Sequence, residues 1–193
     1  VCMAYRSTGD QREAHGAFLL VAPVVFVGFM GAGKTSVARR TARMTGLTAI
    51  DADTYFAHDI GMSAGAFIRA YGEAAFRDAE TVVLRELLAL EPALISCGGG
   101  IVEREENRDI LRDQFVIYLR VSAEEARERI SSLQSRPLFG DMAEANALNE
   151  HRAPLYEEVA DCVIDTAGKT VAALSNRVVS CLKERGLLCP QPR

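Results

Sequence analysis

Lysine is scarce in this chain of 193 residues, which has only Lys34, Lys169 and Lys183. Most of its positive charge is therefore arginine, the side chain suited to planar, bidentate anionic groups. A basic excess is also missing: the formal net charge is −4 and the isoelectric point is near 5.5. That excludes the basic stripe left by nucleic-acid backbone binding, so any phosphates are small-molecule ones. No two of Cys2, Cys97, Cys162, Cys181 and Cys189 stand at Cys-x2-Cys spacing, and their number is odd. A reduced, cytoplasmic protein without structural zinc is expected. An unbroken apolar run of ~20 residues is lacking too, because Pro23, Gly28, Gly31 and Gly33 interrupt Ala17–Ala32; neither a signal peptide nor a membrane span fits. Repeats, low-complexity tracts and linkers are absent. With 49% hydrophobic and 25% charged residues, the composition fits one domain that buries its own core. The expected division is a loose N-terminal extension over 1–22, a single domain over 23–185 and a tail over 186–193. A monomer is expected.

The chain is rich in something more specific. Val24-Val25-Phe26-Val27 passes directly into Gly28-Phe29-Met30-Gly31-Ala32-Gly33-Lys34-Thr35, the Gly-x4-Gly-Lys-Thr pattern of a phosphate-binding loop. Its glycines let backbone N–H groups converge on phosphate oxygens, Lys34 reaches the β- and γ-phosphates, and Thr35 ligates Mg²⁺. The helical run Ser36–Met44 follows, so Gly28, Gly31, Ala32, Gly33, Lys34, Thr35 and Ser36 are the expected ATP-binding residues. An Asn-Lys-x-Asp base-recognition motif is absent, which removes a regulatory GTP switch.

Short apolar runs recur at Thr48–Ile50, Ala93–Ser96, Phe115–Leu119 and Cys162–Ile164, separated by helical spacings such as Phe76–Leu90 and Glu124–Leu133. Such alternation predicts an α/β fold, a parallel sheet with helices on both faces and its ligand at the carboxyl ends of the strands. Ser135–Asn146 has weak periodicity, with Arg136-Pro137 and Gly140-Asp141, and is expected to be a mobile lid, bounded at about 133–147.

Three sets of residues at strand ends or along helices can carry chemistry. Asp51-Ala52-Asp53 follows the second run; in extended backbone both carboxylates point the same way, one to Mg²⁺ and one to an acceptor hydroxyl. Alternatively, Asp53 merely caps the next helix. Gly98-Gly99-Gly100 after Cys97 is either a flexible turn or a place where a ligand lies against backbone. Arg77, Arg136 and Arg152 are each an ordinary surface charge or, together, partners for a carboxylate and a transferring phosphoryl group.

From Val24 to Leu182 the chain resembles the shikimate kinase family. The motifs that carry the resemblance occur in order: Gly28–Thr35, Asp51-x-Asp53, Gly72-Glu73-x-x-Phe76-Arg77, Gly98-Gly99-Gly100, Arg136-Pro137-Leu138 and Arg152-x-Pro154-Leu155-Tyr156. The resemblance implies a nucleoside-monophosphate-kinase-like, three-layer α/β/α fold with five parallel strands in the order 2-3-1-4-5. It implies phosphorylation of the 3-hydroxyl of shikimate by ATP with Mg²⁺. Asp53, Arg77, Gly98, Gly99, Gly100 and Arg152 match shikimate-contacting positions, Asp51 a position near Mg²⁺, and Arg136 the catalytic lid arginine. Lys34, Asp53 and Arg136 are the expected catalytic residues. Arg129 matches an arginine that packs on adenine, although its local setting also fits a solvent-facing helix residue. Phe67-Ile68 reverses the family's usual order before Gly-Glu, and the loop after Asp165-Thr166 is short and lacks the usual proline. A kinase of another hydroxy acid such as gluconate, or a non-catalytic nucleotide-binding module, would share only part of this set.

Overall fold

The structure, a computed structural model, describes residues 18–129 and 141–191. The expected lid residues Arg136, Pro137 and Gly140, and the extension up to Ala17, lie outside them. In chain order the elements are β1 (Phe18–Leu20), β2 (Val24–Val27), α1 (Lys34–Thr45), β3 (Ala49–Asp51), α2 (Ala52–Ile60), α3 (Ala64–Tyr71), α4 (Glu73–Leu88) and β4 (Leu94–Ser96). They continue with α5 (Glu105–Arg112), β5 (Phe115–Arg120), α6 (Ala123–Glu128), α7 (Met142–Val159), β6 (Cys162–Asp165), α8 (Val171–Glu184) and β7 (Leu188–Pro190).

Five of the strands form one parallel sheet in the order β3-β4-β2-β5-β6. Counted within that sheet, this is the expected 2-3-1-4-5. All four residues of β2 are fully buried, as a central strand covered on both faces must be. Its side chains divide by the strand's period of two. Val24 and Phe26 join the cluster under α1 and α8, whereas Val25 and Val27 join the cluster under α2, α4 and α5. The neighbouring β5 repeats this division, with Ile117 and Leu119 on one side and Val116 and Tyr118 on the other. Removing such a side chain leaves a cavity in close-packed surroundings; Phe26→Ala would cost about 3–5 kcal/mol.

Two regions differ from the sequence reading. Phe18–Leu20, inside the expected extension, pairs antiparallel with Leu188–Pro190, inside the expected tail. Leu20 and Leu188 both pack into the α1–α8 side of the core, but three-residue strands with one buried side chain each have no legible period. The last residues of the expected lid are helical. Asp141 accepts hydrogen bonds from Ala143 N (2.8 Å) and Glu144 N (3.3 Å), so it caps α7 and starts a helix that buries Ala145. Among the described residues, no helix is long and apolar enough to cross a membrane.

Candidate active site

At the carboxyl ends of β2, β3 and β4 lies a cavity of about 400 Å³. Its floor is the loop between β2 and α1. Gly28 sits at φ 139°, and a Cβ there would stand 2.5 Å from the carbonyl oxygen of Leu119; only glycine fits so close to β5. The loop ends on Gly33, the N-terminal flank of α1, so the first N–H groups of that helix face the cavity with the positive end of its dipole. Gly31, Gly33, Lys34, Thr35 and Ser36 all line the space. Lys34 is buried, and its Nζ donates to the carbonyls of Gly28 (2.7 Å) and Phe29 (3.0 Å). Ala32 is fully buried and anchors the loop to the core.

Thr35 Oγ1 donates to Asp51 Oδ2 at 2.6 Å and lies 3.1 Å from Ser96 Oγ. The other oxygen of Asp51 accepts from Thr54 N (2.9 Å) and Thr54 Oγ1 (3.0 Å). Asp51 is thus the N-cap of α2, and Asp53 lies in the helix's first turn. The extended Asp51–Asp53 geometry anticipated from sequence is therefore wrong, as is a capping role for Asp53: the strand ends one residue earlier and the cap falls on Asp51. Both carboxylates still line the cavity, because the first turn of α2 swings Asp53 toward the β4 end. Ser96, which the sequence reading overlooked, stands beside Asp51 in the strand register. Its signal was available: it is the polar last residue of an otherwise apolar strand.

Beyond Asp53 the wall turns into a charged cluster. A Cβ on Gly98 would lie 3.1 Å from Glu80 Oε1 and 3.3 Å from Asp53 Oδ1. Glu80 binds Arg77 at 2.8 Å, and Arg77 also binds Glu73 at 3.1 Å. Burial pushes the Glu80 carboxyl above its ordinary range and the charge of Asp53 adds to this, while Arg77 and Arg152 pull it down. Burial works against the charge of Arg77, but Glu80 and Glu73 outweigh it and hold the guanidinium above its ordinary value. Asp53, Arg77 and Arg152 therefore all bear on the Glu80 carboxylate. Glu80 was missed in the sequence, although it lies three residues after Arg77 on the same face of α4.

The triple glycine serves two purposes. Gly98 and Gly99 line the cavity, whereas Gly100 is buried against the guanidinium of Arg77. Arg152, also buried, sits on α7 behind this turn, and its Nε donates to Glu103 Oε1 at 2.6 Å. The hydroxyl of Tyr156, one turn later, donates to the carbonyl of Gly99. Burial raises the pKa of Tyr156, so it stays a neutral donor. Cys97 is pushed up by burial and by the carboxylates of Glu80 and Asp53; it is an inert thiol. Phe67, at the reversed Phe-Ile position, packs edge-on against Phe56 at 5.4 Å, and Phe56 does the same with Phe76. This aromatic stack joins α2, α3 and α4 behind Asp53 and Arg77.

On the opposite side, Arg129 follows α6 and donates through both terminal nitrogens to Thr166 Oγ1 and Thr166 O, each at 2.8 Å. Thr166 is fully buried and its hydroxyl donates to Arg120 O at 2.9 Å. Arg129 and Val171 line the cavity; Arg129 remains exposed there, so it faces solvent at the rim while Thr166 holds its guanidinium.

A phosphate-binding loop at the switch point of a five-stranded parallel sheet, with carboxylates and guanidinium groups across the cleft, defines a P-loop kinase of small molecules. The family model for shikimate kinase matches residues 30–183. The chain is 40% identical over 174 residues to the shikimate kinase of Ralstonia nicotianae, covering 88% of this chain and 92% of that one. It is 40% identical over 166 residues to the shikimate kinase of Enterococcus faecalis, covering 83% and 98%. Among solved structures, shikimate kinase from Acinetobacter baumannii in complex with shikimate superposes with TM-score 0.79 at 30% identity, covering 86% of this chain and 96% of that one. The chain belongs to the shikimate kinase family. A gluconokinase from Sinorhizobium meliloti, at TM-score 0.55 and 16% identity, shares the fold alone.

Proposed function

We infer that this chain transfers the γ-phosphoryl group of ATP to the 3-hydroxyl of shikimate, giving shikimate 3-phosphate and ADP. The observation that carries the reading is the wall beyond Asp53, which lines the cavity: Asp53 and Glu80 both approach Gly98, and Glu80 binds Arg77 at 2.8 Å. A hydroxy acid needs a carboxylate to orient its hydroxyl and guanidinium groups to hold its acid function.

In this mechanism the loop amides, Lys34 and the α1 N-terminus hold the triphosphate. Asp53 orients the acceptor hydroxyl and accepts its proton, and Arg77 and Arg152 hold the substrate carboxylate while Gly98 and Gly99 let the ring approach backbone. Positioning and charge neutralisation then supply most of the rate. Thr35 Oγ1, Asp51 Oδ2 and Ser96 Oγ form a group of hard oxygens within 3.1 Å contacts, a donor set that suits Mg²⁺ completed by phosphates and water. Bound there, the ion would neutralise charge on the β- and γ-phosphates. Arg129, braced by Thr166, packs on the adenine with Val171 as an apolar edge. By the family match, Arg136, which lies outside the described residues, would be the lid arginine that acts on the transferring phosphoryl group. Cys97, Cys162, Cys181 and Cys189 carry free thiols, which fits a cytoplasmic enzyme.

Product identity tests this directly. Phosphorus–proton correlation spectra of the product made from shikimate and ATP should couple the new phosphate to the proton on C3. Coupling to another ring position, or no phosphorylated product, would refute it.

A further inference from the structure

The turn that follows the triple glycine ends in a carboxylate whose position is unusually well fixed. Ile101 and Val102 are buried. Asn107 Nδ2 donates to Ile101 O at 3.0 Å, Arg108 Nη1 donates to Val102 O at 2.8 Å, and Glu103 N donates to Gly100 O at 3.0 Å. Glu103 thus projects from a clamped backbone toward α7. There its Oε1 accepts from Arg152 Nε at 2.6 Å and its Oε2 lies 3.3 Å from His151 Nε2. The Arg152 side chain is 9% exposed and that of Glu103 26%.

The place where this bond enters the guanidinium matters. An acceptor on Nε fixes the plane of the group about its stem, and the terminal nitrogens extend past it. Arg77 differs, since its two terminal nitrogens are each bound to a carboxylate, Glu80 and Glu73. For Arg152, the one ion pair among the described residues is through Nε.

We propose that Glu103 is a positioning residue for Arg152, holding its guanidinium by Nε so that the terminal nitrogens are aimed at the substrate's carboxylate. This rests on the assignment of Arg152 to that carboxylate. The opposing effect is that the Glu103 charge repels the same carboxylate. Arg152, however, is buried, and holding the plane of its guanidinium beforehand removes the ordering cost that a loose group would bear on binding. His151 accompanies Glu103 as a second partner, and together with Arg152 it outweighs burial to hold the Glu103 carboxyl below its ordinary value.

Steady-state kinetics on Glu103→Ala, Glu103→Gln, Arg152→Ala and the double alanine variant test the proposal. Glu103→Ala should raise KM for shikimate roughly tenfold, the size common for coupled neighbours, with KM for ATP and kcat changed by less than about twofold. Glu103→Gln keeps an amide oxygen for the Nε–H and should show a smaller rise; it also reports if the alanine variant fails to fold. In the Arg152→Ala background, the change at 103 should add nothing. An unchanged or lowered KM in Glu103→Ala would overturn the proposal, as would an equal rise in the Arg152→Ala background. If Arg152→Ala itself leaves KM for shikimate unaltered, the assignment of Arg152 fails, and the role of Glu103 with it.

Discussion

Arg77 leaves no room for a side chain on Gly100: a Cβ built there would lie 2.5 Å from Arg77 Nη2 and 2.7 Å from Cζ. Gly100 needs no left-handed backbone, so it is contact with the Arg77 guanidinium alone that disfavours a side chain here. Because the obstructing atoms are the far end of a flexible side chain, Gly100→Ala would move Arg77 more than it would strain the fold. The thermal midpoint should therefore hold while KM for shikimate rises roughly tenfold, as for other pairs in contact. An unchanged KM would remove Arg77 from the substrate's carboxylate.

Asp51 and Asp53 should separate by phenotype. Asp53→Asn should lower kcat by ~10² or more with ATP affinity retained, as for a positioned acid–base group. Asp51→Asn should instead raise the Mg²⁺ requirement. Asparagine caps a helix as well as aspartate does, so α2 and the thermal midpoint should survive that change. Full kcat in Asp53→Asn, or unaltered Mg²⁺ dependence in Asp51→Asn, would contradict the respective role.

Arg129 is braced by Thr166 at two points, a geometry that presents the guanidinium plane rigidly. Arg129→Ala should raise KM for ATP several-fold, in keeping with about 0.5–2 kcal/mol for a cation stacked on a π system, and leave KM for shikimate unmoved. Thr166→Val should act in the same direction through lost bracing. A selective effect on shikimate would reassign this side of the cleft.

Two carboxylates should give opposite pH trends in stability. Glu103 is shifted down: burial works to raise it, and Arg152 and His151 outweigh burial. Its stabilisation is then complete above the unfolded value of about 4.3 and is lost as pH falls through the lower folded value. Glu80 is shifted up by burial and Asp53, so its contribution is complete below about 4.3 and declines as pH rises through the higher folded value. Melting curves of Glu103→Gln should accordingly lie below the parent at pH 7 and approach it near about pH 3, whereas Glu80→Gln should gain on the parent as pH rises. Parallel curves in both variants would contradict the coupling.

Much of the site was legible because its chemistry is local in sequence. The loop Gly28–Thr35 and the strand before it are contiguous, and β2, β4 and β5 are apolar runs of the length a covered strand has. Asp51 was singled out as a candidate, and it lines the cavity, but the Asp51–Asp53 stretch was read as extended, because one residue decides whether a strand end becomes a helix cap. Glu80, Ser96 and Glu103 stayed hidden for a different reason. Each acts through a neighbour brought near by packing, and a single charged or polar residue on a helix, a strand end or a turn has no signature of its own. The β1–β7 ribbon was invisible because its pairing joins the two ends of the described chain.

The central claim is that this cleft phosphorylates shikimate in preference to other hydroxy acids. Coupled ADP release measured side by side with shikimate, quinate and gluconate, at fixed ATP and Mg²⁺, tests it most directly. The account predicts that kcat/KM for shikimate exceeds the other two by at least ~10², the discrimination a site built on paired polar groups can reach. Comparable turnover of gluconate, or ADP release indifferent to the acid supplied, would contradict it.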